Sequence, residues 1–102
     1  MRLEFYPVDK LKRDVLEIVG RHLDLNSCSV FFFGSRVAGK GDERSDIDVG
    51  IEGQEAIAYQ IMARIRDDIE NLPILYKIEV VDFKKVSKDF KEVALQHTEA
   101  IS

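Results

Sequence analysis

Residues 31–51 read FFFGSRVAGKGDERSDIDVGI, and the fold turns on how this stretch is divided. Its opening Phe31-Phe32-Phe33 closes an apolar, β-favouring run that begins at Ser29 and is stopped by Gly34, which predicts a short buried strand. From Asp46 to Glu52 the chain alternates, with Ile47, Val49 and Ile51 on one face and Asp46, Asp48 and Gly50 on the other. That is the period of a half-buried strand. Two strands therefore flank Gly34 to Ser45, a loop of small and charged residues.

Gly34 to Lys40 fits the G-x-x-x-x-G-K spacing of a nucleoside triphosphatase phosphate loop. Gly41 then stands where that loop needs a magnesium-holding Ser or Thr, and GDERSD leads into a strand where that loop opens a helix. A better division takes the two ends together: Gly34-Ser35, ten residues, then Asp46-Ile47-Asp48. Aspartates at i and i+2 of a strand project from the same face, so Asp46 and Asp48 can share hard divalent cations while Ile47 and Val49 anchor the strand below. Gly34 allows close backbone approach. Ser35, opening a short helical turn, can offer its hydroxyl and backbone N–H groups to phosphate. Arg36, Lys40 and Arg44 can neutralise phosphate charge, whereas Asp42 and Glu43 suit a solubilising role. The acidic pair alone would also suit a solvated strand edge; its fixed separation from Gly34-Ser35 is what points to chemistry.

Working outward, Val8, Leu11, Val15, Ile18, Val19 and Leu23 recur at helical steps, predicting an amphipathic helix from Val8 to about Asp24 that starts after Pro7. Ile57, Ala58, Ile61, Met62, Ile65, Ile69 and Leu72 make a second stripe, from Gln54 to about Leu72, ended by Asn71 and Pro73. Residues 74–83 are β-like again. Ser87 can cap a last helix that carries Phe90, Val93 and Ala94 toward the core. The expectation is a single α/β domain over residues 1–102, with a small mixed sheet, helices on one face and the acidic site on the other or at its edge.

The chain has 102 residues, 45% of them hydrophobic, and a formal charge of −4. That suffices for one core and argues against an overall electrostatic grip on nucleic acid or an anionic membrane. Cys28 is the only cysteine, so no internal disulfide forms, and a small buried thiol in a reducing cytoplasm is expected. The start MRLEFYPVDK lacks the apolar stretch of a signal peptide, and no run is long enough to span a membrane. His22 and His97, expected in helices, lack partners at metal-binding spacing.

On FFFGSRVAGKGDERSDIDVGI, the chain resembles the DNA polymerase β-like nucleotidyltransferases, most closely their minimal nucleotidyltransferase branch, whose pattern is GS, ten residues, DxD. The likeness continues through the second helix, the third strand and the DFKEV segment. It implies a nucleotidyltransferase that uses two Mg²⁺ ions and ATP, with Gly34, Ser35, Arg36 and Lys40 at the phosphates and Asp46 and Asp48 at the metals. Relatives carry a third acid as Asp in the third strand; the aligned residue here is Glu79. Ile78 and Val80 make the better buried pair, which turns Glu79 to the polar face and Asp82 away. The branch further implies an antitoxin partnered with a HEPN-type ribonuclease toxin, with AMP transferred to a partner hydroxyl. The alternative reading is a non-catalytic module that neutralises its partner by covering it, its nucleotide site weakened by Glu79.

Overall fold

The computed structural model describes residues 1–41 and 44–102; Asp42 and Glu43, expected to be solubilising, lie outside the described residues. Helix α1 spans Val8–His22, beginning after an extended Pro7, and buries Leu11, Val15, Ile18 and Val19 at the expected three- and four-residue steps. Helix α2 spans Tyr59–Glu70 and buries Met62, Ile65 and Ile69. It is shorter than its apolar stripe because the Ile57 N–H is donated outside the helix, to Asp82 Oδ2 at 2.7 Å. The two helices are also linked where His22 Nε2 meets Asp68 Oδ2 at 2.8 Å.

Strands β1 (Cys28–Phe33), β2 (Ile47–Gly53), β3 (Ile78–Asp82) and β4 (Glu99–Ala100) form one sheet in the order β3-β2-β1-β4. β1 runs antiparallel to β2 and β4, while β2 and β3 are parallel. Val30, Phe32, Ile47, Val49, Ile51 and Val80 form the core with α1 and α2, so these helices lie on one face as the alternation in β2 requires. β4 was not foreseen: two residues are too few to show a period. Its register is fixed by Phe31↔Ala100 and by the Ile101 N–H, which donates to the Val30 carbonyl at 2.9 Å.

The opposite face divides in two. At one end Phe31, Phe33 and Phe83 form a second cluster, with Phe83 edge-on to the other rings at 4.9 and 5.0 Å between centroids. Helix α3 (Lys88–Ala94), capped by Ser87 Oγ accepting the Phe90 N–H at 3.1 Å, borders this cluster. The expectation that α3 turns Phe90, Val93 and Ala94 toward the core is corrected at Val93, and the core that the other two meet is the aromatic cluster. Phe90 meets Phe33 and Phe83 at 6.0 Å and Ala94 packs against the second cluster, but Val93 is exposed. A helix of seven residues reaches only the aromatic end of the sheet. His97 is corrected too: it sits in a bend beyond α3. Cys28 is half-buried, and burial pushes its thiol up, consistent with an inert side chain. Among the described residues no helix is long and apolar enough to cross a membrane.

Candidate active site

Strand register builds the other end of this face. Asp48 sits opposite Phe33 of β1 and Glu79 of β3. Cross-strand partners share a face, so the Glu79 carboxylate belongs beside Asp48, and Asp46 joins them two residues earlier. Between the aspartates Ile47 is fully buried, and its N–H donates to the Lys77 carbonyl at 2.9 Å, locking β2 to the start of β3. Asp82 has the other parity. It is 5% exposed and accepts the Ile57 N–H at 2.7 Å and the Lys84 N–H at 2.9 Å, which makes it a staple for the loop before α2.

The trio concentrates negative charge. Asp48 is pushed up to about 6, first by burial and then by the charges of Glu79 and Asp46. Lys77 Nζ lies 3.9 Å from Asp46 Oδ2 and 3.8 Å from Glu79 Oε1. Among the described residues no three acidic, histidine or cysteine side chains are gathered closely enough to hold one ion. The donors themselves are carboxylate oxygens, the ligands magnesium prefers. Asp46 is 38% and Glu79 52% exposed, so both can rotate toward the half-buried Asp48. The residues therefore fit a hard divalent cation in chemistry, with Asp48 as the fixed member.

Gly34 joins the loop to this trio. Its φ is +87°, and a Cβ there would stand 2.2 Å from Asp48 Oδ2, so any other residue would displace the carboxylate. After it comes one helical turn, as expected from Ser35, with the Ala38 N–H donating to the Gly34 carbonyl at 3.1 Å. Gly39, at φ +76°, ends the turn, and the N–H groups of Lys40 and Gly41 return to the Ser35 carbonyl at 2.9 and 3.1 Å. Ser35, Lys40 and Arg44 are exposed. Arg36 instead turns into the protein: its Nε donates to the Ser45 carbonyl at 2.7 Å, and the guanidinium lies 4.9 Å from the Tyr76 ring centre. Among the described residues its Nη2 is buried without a partner.

Two contributors were not assigned site roles from the sequence. The Tyr76 hydroxyl accepts the N–H groups of Glu4 and Phe5 at 3.1 and 3.0 Å, so Tyr76 ties the amino-terminal segment to Arg36 and the loop. Lys77 stands beside the acids, and its parity with Glu79 was the available signal. Tyr76, Lys77 and Glu79 also border an open hollow of about 510 Å³ along the outer edge of β3, where Arg66 Nη2 donates to the Val80 carbonyl at 2.9 Å.

The family model "polymerase beta, nucleotidyltransferase" matches residues 10–102. A probable protein adenylyltransferase MntA of Haemophilus influenzae is 29% identical over 65 residues, 64% of this chain and 57% of that protein, so the match spans less than two thirds of the relative. Among solved structures, a toxin–antitoxin with AMP-PNP superposes with a TM-score of 0.72 at 12% identity, covering 89% of this chain and 72% of that one. A tri-AMPylated Shewanella oneidensis HEPN toxin in complex with MNT antitoxin gives 0.62 at 10% identity, covering 92% and 71%. At such identities the likeness is one of fold.

Proposed function

The chain belongs to the polymerase beta nucleotidyltransferase family, and from that premise and its acidic face we propose that it transfers AMP from ATP to a hydroxyl of a partner protein. The observation that carries the reading is the placement of Asp48 between Gly34 and Glu79, with Asp46 on the same face. Asp46, Asp48 and Glu79 would hold the two Mg²⁺ ions. When bound, these supply charge neutralisation at the phosphates and make an attacking hydroxyl more acidic. The Gly34–Ser35 turn presents backbone N–H groups to the β- and γ-phosphates, with Lys40 at its exposed end. Arg36 Nη2, buried and unpartnered among the described residues, is the donor that still needs an oxygen. The acceptor oxygen forms a bond to the α-phosphorus as the bond to the β-phosphate bridge breaks, releasing pyrophosphate. Glu79, the most exposed of the three carboxylates, takes the acceptor's proton.

The acceptor and partner are read from the relatives. The MntA relative is described as a protein adenylyltransferase, and the neighbouring structures pair an antitoxin of this fold with a toxin, in one case an AMPylated HEPN toxin. We place this chain in the same role in the cytoplasm, as the antitoxin of a HEPN-type ribonuclease toxin. One observation favours a second reading, a binding module with a weakened site: the three acids are not gathered around one point, and Lys77 holds two of them. Isothermal titration with ATP separates the two. Magnesium-dependent binding lost in Asp48→Asn supports transfer; ATP binding that ignores magnesium, or no binding beside an intact partner complex, supports the module.

A further inference from the structure

Lys77 brings a side-chain positive charge to the acidic trio. Because Ile47 pairs with Ile78, Lys77 lies alongside Asp46; because it precedes Glu79 by two residues, it projects from the same face. The ammonium thus sits between Asp46 and Glu79, at 3.9 and 3.8 Å, the two acids that must rotate to close on an ion. It is 71% exposed, and exposed ion pairs of this kind are weak, so it can be displaced without disturbing the strand. Its backbone carbonyl already holds the Ile47 N–H, which fixes where the side chain starts whatever the ammonium does.

We propose that Lys77 is a positioning residue, a resident counter-cation of the acidic face, which yields Asp46 and Glu79 to a divalent ion and moves to the phosphates of the nucleotide arriving with it. The inference rests on the nucleotidyl-transfer reading and deepens it. With no nucleotide present, a divalent ion must displace the ammonium into water. With a triphosphate present, the displaced ammonium gains phosphate oxygens. Lys77 thereby couples metal binding to nucleotide binding.

Electron paramagnetic resonance titration of Mn²⁺ tests this without reference to turnover, using the wild type, Lys77→Met, Lys77→Arg and Asp48→Asn, each with and without AMP-PNP. Methionine keeps the unbranched stem of the side chain, one atom shorter, and removes its charge. Removing a unit charge about 4 Å from the ligands should tighten Mn²⁺ alone about tenfold in Lys77→Met. The same variant should lose most of the enhancement by AMP-PNP that the wild type shows, and Lys77→Arg should restore it. Equal or weaker Mn²⁺ affinity in Lys77→Met overturns the counter-cation role. If Asp48→Asn nevertheless abolishes Mn²⁺ binding, the transfer reading survives that failure. Absence of bound Mn²⁺ in all four proteins, with and without nucleotide, overturns both.

Discussion

Replacing Asp48 by Asn should stabilise the protein at neutral pH in the absence of divalent ions. The carboxyl is raised from 3.8 to about 6 by burial and by its two acidic neighbours, so the folded state holds its proton more tightly than the unfolded state does. The contribution of this carboxyl to stability is therefore greatest below the unfolded value and falls as pH rises from about 4 through 6, because the unfolded chain releases its proton first. At about 1.36 kcal/mol per unit, the ceiling on this penalty is about 3 kcal/mol. Water reaches the half-buried carboxylate and screens it, which brings the expected gain in Asp48→Asn to about 1 kcal/mol, or roughly 4–8 °C in melting temperature for a domain of this size. Urea unfolding of both proteins at pH 4 and pH 7.5, with a chelator present, measures it. The gap should open between those values and shrink when Mg²⁺ is added, since only the wild type gains from the ion. An equal gap at both pH values, or a less stable variant at pH 7.5, would refute the electrostatic account of this face.

Gly34→Ala should cost about 1–2 kcal/mol in urea unfolding through its positive φ, and should abolish ATP binding measured by calorimetry because the new Cβ displaces Asp48 Oδ2. Glu79→Ala and Asp82→Ala should separate cleanly. The first should lower AMP transfer about a hundredfold with little change in stability; the second should lose about 2 kcal/mol of stability, leaving the Ile57 N–H unpaired, with transfer retained at low temperature. Tyr76→Phe should cost about 1 kcal/mol through the hydroxyl's two backbone partners, while Tyr76→Ala should also raise the KM for ATP, because the ring under Arg36 is gone.

Much of this arrangement was legible because strand parity is a two-state choice. Ile47, Val49 and Ile51 could only go inward together, which set Asp46 and Asp48 outward. The same rule separated Glu79 from Asp82, as the buried, twice-bonded Asp82 now shows. Helical periodicity located α1 and α2 but overran the start of α2, since nothing in the apolar spacing reveals that Ile57 gives its N–H to a carboxylate 25 residues away. Arg36 illustrates a second limit. A basic residue in a phosphate-like loop suggests an outward role, yet its guanidinium stacks on Tyr76, a contact made only once β3 is laid against β2. Lys77 was placed on the correct face by parity; its proximity to two carboxylates depends on the pairing of Ile47 with Ile78.

The central claim is that Asp46, Asp48 and Glu79 support transfer of AMP to a partner. Its most direct measurement is incubation of the protein with ATP labelled at the α-phosphate, Mg²⁺ and the HEPN-type toxin proposed as its partner, beside an Asp46→Asn/Asp48→Asn variant shown to bind that partner equally well. The account predicts label on the partner with the wild type, lost on chelation and absent with the variant. An unlabelled partner in a stable complex with the wild type, or equal labelling by the variant, would contradict it.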